Sequence, residues 1–163
     1  MHPAQVQVGV GYTGIPNTTV TVDYAWVGWK SFKQLPVDFQ GGATDRVLIE
    51  EYNNTSSFRL GVDHRFTNGA AVRGGFAAAA AAAPDVTVTP LLPEQDRTYG
   101  TIGGGYPINS RLTIDGAYMK IFTPGRRGRI DERSSVSQTA EQLNNGSYTL
   151  RANIFSLSLK ASL

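Results

Sequence analysis

The sequence predicts an all-β fold, an antiparallel transmembrane β-barrel segment of about seven strands with short turns at one end and long loops at the other. Apolar and polar residues alternate along several stretches of the chain. Because successive side chains of a strand point to opposite faces, this alternation gives each strand one apolar and one polar face. The connections between the stretches alternate short and long, which places every long loop at the same end. A membrane barrel accounts for that asymmetry and a soluble sandwich does not.

The composition excludes several other classes of protein. The chain has 163 residues, with 18 glycines, no cysteine and a formal net charge of +2. The absence of cysteine excludes a disulfide scaffold and a thiolate metal site, and no apolar run is long enough for a membrane helix. So small a net charge does not indicate a nucleic-acid partner. The first residues, MHPAQVQV, lack the features of a signal peptide, so we expect either a cytosolic protein or a chain that lacks its true beginning.

Two strands open the chain, at 4–12 and 18–30, joined by a short turn that contains Pro16. The second is long enough to cross a membrane as a tilted strand, which takes about 9–11 residues. Its apolar positions are Val20, Val22, Tyr24 and Trp26, and the opposite positions are Thr19, Thr21, Asp23 and Ala25. A long connection follows at 31–54, and its early part can extend the strand.

The next two strands, at 55–66 and 70–76, form a hairpin. Asn68-Gly69 lies between them, and this pair favours a type I′ turn because both residues accept positive φ angles. Alanines fill 77–83, a run that alone is typical of a helix. We interpret the run as the end of the strand passing into a loop, since it is short and ends at Pro84.

Three strands complete the count, at 97–106, 111–122 and 147–163, with a short turn at 107–110 and a long polar loop at 123–146. In the last strand the apolar positions change parity, which predicts a β-bulge near Ile154 and Phe155. The alternative is an unusual small barrel with an eighth strand within 32–51.

Ionisable residues of the strands fall on the polar face, which we expect to line the lumen. A basic side chain that faces lipid costs roughly 2–4 kcal/mol at mid-membrane and about 0–1 near the interface. On the apolar face we find only His64 and Lys120 among the histidines and charged residues, and both lie near strand ends. The predicted lumen-lining residues are Asp23, Arg59, Asp63, Arg65, Arg73, Asp115 and Arg151.

Aromatic residues of the apolar face fall near the strand ends, which predicts the two aromatic girdles of a membrane barrel. At the end with the short turns they are Tyr12, Phe66 and Tyr106. Toward the end with the long loops they are Trp26, Phe58, Tyr118, Phe122 and Tyr148.

Three short segments, taken in order, resemble a known family. They are WKSF at 29–32, which is similar to a W-x-x-F element, SFRLGV at 57–62, which is similar to an R-x-G strand, and LPEQDR at 92–97, which is similar to a P-D-x-D-R element. Together they resemble the C-terminal half of the long-chain fatty acid transporters of bacterial outer membranes, the FadL/TodX group. The resemblance covers essentially the whole chain.

The resemblance implies a barrel of about fourteen strands, plugged by an N-terminal hatch, that passes hydrophobic compounds inward by diffusion. Residues 1–163 are then one partial barrel domain without the hatch and the first strands, in the bacterial outer membrane with a periplasmic C-terminus. The ligand is a long-chain fatty acid or an aromatic hydrocarbon, and no cofactor is implied. Apolar residues in the long loops are the ligand-contact candidates: Phe32, Leu35, Leu91 and Leu92.

Other functions remain open at this point. A general diffusion porin segment also has an arginine-lined lumen, and a soluble lipid-binding β-barrel also has alternating strands. The basic segment RRGR at 126–129 lacks interleaved aromatics, which disfavours nucleic acid, and it is either a solvated loop or a contact for lipopolysaccharide phosphates. We find no catalytic constellation and no metal-ligand set, and therefore expect that the protein is not an enzyme.

Overall fold

The computed structural model describes residues 2–37, 46–88, 94–128 and 146–161. Its main element is an antiparallel seven-stranded sheet in which each long strand pairs with the next one along the chain. With all strands numbered in chain order, the members of this sheet are β1 (Gln5–Ile15), β2 (Thr18–Val27), β5 (Thr55–Arg65), β6 (Ala71–Ala79), β7 (Arg97–Pro107), β8 (Leu112–Phe122) and β11 (Ala152–Ala161). The predicted fold class is confirmed, and the sheet is open, with β1 and β11 at its edges.

The connections confirm the predicted alternation of short and long. The short ones are 16–17, 66–70 and 108–111, and the long ones are 28–54, 80–96 and 123–151. Because every pairing in the sheet is antiparallel, the three long connections leave from the same end. We call this the loop end and the opposite one the turn end.

The hairpin turn between β5 and β6 differs from the predicted type I′ turn. Only Gly69 has a positive φ there, +82°, whereas a type I′ turn needs positive φ at both central residues. The Gly69 amide donates to the Phe66 carbonyl, and the Ala70 amide donates to Asn68 Oδ1. A β-turn followed by a glycine in the left-handed region gives a three-residue hairpin loop, which the Asn-Gly pair also satisfies.

In its described residues, 28–37 and 46–54, the first long connection contains neither an extension of β2 nor an eighth member of the main sheet. After β2 the chain forms a 3₁₀ turn at Trp29–Ser31. It then forms β3 (Gln34–Val37) and β4 (Arg46–Ile49), which pair with each other in a separate two-stranded sheet. The predicted second strand therefore ends three residues early, at Val27.

The predicted β-bulge near Ile154 and Phe155 is wrong. The pairing of β11 with β8 runs without a shift from Ala152 to Ala161. Tyr148 belongs to a different element, β10 (Ser147–Tyr148), which pairs with β9 (Arg126–Arg127). The change of apolar parity has a simpler cause: the chain leaves extended pairing between β10 and β11, so the two segments need not share a phase.

The register places one continuous apolar face across the sheet. Val22 lies opposite Leu60, and Leu60 lies opposite Phe76 on the next strand. Large side chains on this face stay exposed to solvent. The relative solvent-accessible areas of Val10, Ile102 and Leu157 are 69%, 60% and 77%. No described part of the chain covers this surface, and an apolar patch of that extent marks a surface for contact with lipid or another partner.

The buried core lies at the loop end and not on the sheet. Among the described residues, the buried apolar cluster consists of Tyr52, Ala82, Ala83 and Val88. Within the same described ranges, no helix is both long enough and apolar enough to cross a membrane.

Candidate functional site

Four of the predicted lumen residues form an ion ladder across the polar face near the turn end: Arg65, Asp63, Arg73 and Asp115. Arg73 Nε donates to Asp63 Oδ2 at 2.7 Å, and its Nη1 donates to Asp115 Oδ1 at 2.9 Å. Arg65 Nε lies 3.5 Å from the other oxygen of Asp63. Arg73 thus bridges two carboxylates, and with Arg65 the ladder holds two cations and two anions.

Glycines of β7 make the ladder possible. Arg73 and Asp115 are on β6 and β8, so the ion pair must cross β7. At the crossing, β7 presents Gly103 opposite Arg73 and Gly105 opposite Asp115. A Cβ built on Gly105 would overlap Asp115 Oδ1, so the carboxylate occupies the space that a side chain would fill.

A second charged row lies nearer the loop end and is organised differently. Asp23, Arg59, Ala77 and Tyr99 follow one another across β2, β5, β6 and β7. Although Asp23 lies directly opposite Arg59, no ion pair joins them, and Arg59 has no carboxylate partner within the described part of the chain. The carboxylate of Asp23 leans the other way, over Gly9 of β1, where a built Cβ would lie 3.3 Å from its Cγ.

Beside Arg59 the polar face holds a pocket of about 400 Å³, which we call the Arg59 pocket. Small residues of β6, among them Gly75 and Ala77, form its floor, and Tyr99 and Met119 stand on the far side. The pocket combines an apolar floor with one cationic side chain at its edge. Sequence reasoning named Arg59 but missed Tyr99 and Met119, although their parity with Arg59 and Ala77 is readable from the alternation.

The loop end is held together by the buried apolar cluster. Trp29, Phe32 and Tyr148 pack against it, and the Phe32 ring meets the Tyr52 ring edge-on, with 5.1 Å between centroids. Burial, followed by the negative charges of Glu50 and Glu94, raises the pKa of the Tyr52 phenol from 10.0 to about 12. Tyr52 therefore stays neutral in the folded chain well above the pH at which a free tyrosine ionises.

Polar contacts fasten the second and third long connections to each other. Glu94 Oε2 accepts hydrogen bonds from the Ala82 and Ala83 amides at 2.9 and 2.7 Å. Arg126 Nε donates to Asp85 Oδ1 at 2.7 Å, and its Nη1 donates to the Glu94 carbonyl at 3.1 Å. We call Arg126, Asp85 and Glu94 the loop clamp. Sequence reasoning missed Asp85 and Glu94, because their partners are remote in the chain.

The predicted ligand-contact residues do not come together as one site. Phe32 is partly buried against the apolar cluster, and Leu35 is exposed on β3. Leu91 and Leu92 lie outside the described residues. Arg151, predicted to line the lumen, lies one residue before β11 and is exposed outside the sheet.

The aromatic residues of the apolar face lie at two levels. Tyr12, Phe66 and Tyr106 are at the turn end, and Trp26, Phe58, Tyr118 and Phe122 are toward the loop end. Phe155 joins the second group by stacking on Tyr118, with 4.9 Å between ring centroids. Tyr148, predicted in the same group, instead packs against the buried cluster at the loop end.

The fold and its two faces define a class: an antiparallel membrane-barrel wall, with one uncovered apolar surface and one charged surface. A family model described as outer membrane protein transport protein (OMPP1/FadL/TodX) matches residues 2–162. The chain belongs to this family of outer membrane transport proteins.

Relatives and a solved structure agree with that assignment. The chain is 30% identical over 98 residues to the 47 kDa outer membrane protein of Pasteurella multocida, a match that covers 60% of this chain and 23% of that protein. It is 26% identical over 149 residues to outer membrane protein P1 of Haemophilus influenzae, covering 88% and 31%. The crystal structure of a Pseudomonas aeruginosa FadL homologue superposes with a TM-score of 0.76 at 25% identity, covering 98% of this chain and 35% of that one. The chain thus spans about a third or less of the length of these proteins.

Proposed function

We propose that the chain forms part of a passive outer-membrane transporter for long-chain fatty acids or other hydrophobic compounds. The observation that carries the proposal is the pair of contrasting faces on one sheet. One face is apolar from edge to edge and uncovered, and the other holds ion pairs and polar residues. In a membrane the first suits lipid and the second suits a hydrated interior. Membership of the transport family supports the same function.

The proposed orientation puts the turn end in the periplasm and the loop end outside the cell. Short periplasmic turns and long extracellular loops are the general arrangement of outer-membrane barrels. The two aromatic levels then lie at the two membrane interfaces, and the C-terminus lies on the periplasmic side. Asp23, Arg59, Asp63, Arg65, Arg73 and Asp115 line the interior in this orientation.

The proposed mechanism needs no chemical step. A hydrophobic compound is captured among the long loops, where Leu35 is exposed and Phe32 partly exposed, and then moves down its gradient. Along the wall the ion ladder keeps charges paired with each other, so an apolar ligand that displaces water from them pays a smaller desolvation cost than it would over isolated ions.

Lipopolysaccharide is a proposed partner at the loop end. Arg126 is already engaged in the loop clamp, with a contact to Asp85 at 2.7 Å. Arg127 is exposed, and in the described residues it forms no ion pair, so it is the better candidate for a phosphate contact. Arg129 lies outside the described residues.

Uptake and conductance measurements test the function together. Cells that express the protein are expected to take up a labelled long-chain fatty acid faster than cells without it, and planar bilayers are expected to show little steady conductance. Large steady conductance without uptake would favour a general diffusion porin. A monodisperse soluble monomer in the absence of detergent would favour a soluble lipid-binding barrel.

A further inference from the structure

We propose that the Arg59 pocket is a binding subsite for the head of an amphipathic monocarboxylate, with Arg59 holding the carboxylate and the small-residue floor of β6 holding the start of the apolar tail. The inference rests on the proposed function, in which the polar face lines the interior. It goes beyond that function by assigning a position, a head group and an orientation to the ligand.

The pocket has the volume and the lining of a small-molecule site. Its volume of about 400 Å³ is within the usual range for small-molecule sites. Gly75 and Ala77 form the floor because neither has a side chain longer than a methyl group. The longer side chains of Arg59, on one side, and of Tyr99 and Met119, on the other, border the floor. The lining is mostly apolar with a few polar groups, which is the composition that fixes the orientation of a small ligand.

The arginines of the two charged rows differ in their partners. Arg73 donates to two carboxylates at 2.7 and 2.9 Å, so its charge is already compensated. Arg59 forms no ion pair in the described part of the chain, because Asp23 leans over Gly9 and away from it. The two rows are four residues apart along β5, about 13 Å at strand spacing. A ligand anion near the polar face can therefore pair with the Arg59 guanidinium, whereas the Arg73 guanidinium is already paired with two carboxylates.

One guanidinium matches one carboxylate in both charge and geometry. Arginine and a carboxylate form paired, charge-assisted hydrogen bonds, and the planar fork of the guanidinium favours a planar anion. A single cation beside an apolar floor suits a monoanion with a hydrocarbon tail. A neutral hydrocarbon would gain the floor contacts but not the contact with Arg59.

The test compares a long-chain fatty acid with the long-chain alcohol of the same length. Equilibrium binding is measured on the purified protein in detergent micelles, and uptake is measured in cells. Arg59→Gln is expected to weaken binding of the acid about tenfold or more and to leave binding of the alcohol unchanged. Arg111→Gln is the matched control, since Arg111 is an exposed arginine at the turn end that belongs neither to the ion ladder nor to the Arg59 pocket, and it is expected to change neither.

Two further variants keep the test decisive if Arg59→Gln is poorly recovered in the membrane. Gly9→Ala is expected to push the Asp23 carboxylate toward Arg59 and so to weaken acid binding selectively, without altering the pocket. Ala77→Leu fills the floor and is expected to weaken both ligands.

A failure of the proposed subsite and a failure of the proposed transport function give different results in these measurements. If the wild type takes up both ligands, and both Arg59→Gln and Gly9→Ala bind the acid as well as it does, the subsite is overturned and the transport function stands. If the wild type binds the acid through Arg59 but takes up neither ligand, the subsite stands and the transport function fails. An equal loss of acid and alcohol binding in Arg59→Gln would also overturn the assignment of the carboxylate to Arg59.

Discussion

At the scale of single residues, glycines determine where the charges of the polar face go. Asp23 lies over Gly9 and Asp115 lies over Gly105, each directly opposite its glycine on the neighbouring strand. An alanine at either glycine would occupy the space of the carboxylate. A glycine opposite each aspartate thus brings Asp115 within reach of Arg73 and draws Asp23 away from Arg59. As a result Arg73 is paired with carboxylates, and in the described residues Arg59 is not.

Replacing Arg73 with glutamine is expected to destabilise the protein by about 1 kcal/mol, because two partly exposed ion pairs are lost and such pairs contribute roughly 0.2–1 kcal/mol each. The measurement is urea unfolding from lipid vesicles at low and high salt. The loss should shrink at high salt, since salt screens exposed ion pairs. Arg59→Gln, on the neighbouring strand and the same face, should leave stability unchanged. Equal destabilisation by both variants would contradict the role assigned to the ladder.

Two glycine substitutions on β7 test the space requirement. Gly105→Ala is expected to lower the urea midpoint, since its Cβ would overlap Asp115 Oδ1 and displace that carboxylate from Arg73. Gly100→Ala, on the same strand, is expected to keep or raise the midpoint, because a Cβ there meets nothing within 4 Å. If Gly105→Ala is as stable as Gly100→Ala, the glycine is not needed for the ladder.

At the scale of elements, the long connections form a packed unit of their own. The first connection contributes Phe32 and Tyr52, the second contributes Ala82 and Val88, and Tyr148 comes from the third. The loop clamp adds charge-assisted hydrogen bonds between the second and third. Within the described residues, these contacts hold parts of the three connections together at the loop end.

The raised pKa of Tyr52 makes the stability of this packed unit depend on pH. The folded chain holds the phenol proton more tightly than the unfolded chain does, with a pKa of about 12 against 10.0. The stability that the neutral phenol contributes is therefore complete below pH 10 and is lost as the pH rises toward about 12. Ultraviolet titration of tyrosinate in the wild type minus that in Tyr52→Phe should show a midpoint near 12. A difference curve centred on 10 would show that Tyr52 is not buried in this cluster.

At the scale of the whole molecule, the two faces of the sheet decide how the chain meets a membrane. The exposed apolar face is continuous from β1 to β11, as the exposure of Val10 and Leu157 at the two ends shows. His64 and Lys120 on this face have partners of their own. His64 Nδ1 is hydrogen-bonded to Thr18 Oγ1 at 2.8 Å. Lys120 lies over the Phe122 ring at 5.0 Å, near the loop end.

A pair of adjacent substitutions on β2 tests this assignment of the faces. Val22→Arg places a charge on the apolar face at mid-strand and is expected to cost about 2–4 kcal/mol in lipid. Thr21→Arg places the same charge on the polar face, opposite Gly61, and is expected to cost much less. The fraction folded in lipid vesicles, followed across a urea series, measures both. A larger cost for Thr21→Arg than for Val22→Arg would reverse the two faces.

The sequence alone determined the seven long strands and their two faces, because alternation with a period of two is a local property of an extended chain. It also determined that the long connections share one end, since antiparallel neighbours reverse the chain at each turn. It did not predict the short strands β3, β4, β9 and β10. Tertiary structure alone decided the partners: Arg73 with Asp63 and Asp115, Tyr148 and Phe32 against the buried cluster, and Asp85 with Arg126. Those contacts depend on register between strands, on space above particular glycines and on loops remote in sequence. Residue parity carries none of that information. Parity put Arg59 on the polar face, but it could not show that the Asp23 carboxylate lies over Gly9 and forms no ion pair with Arg59.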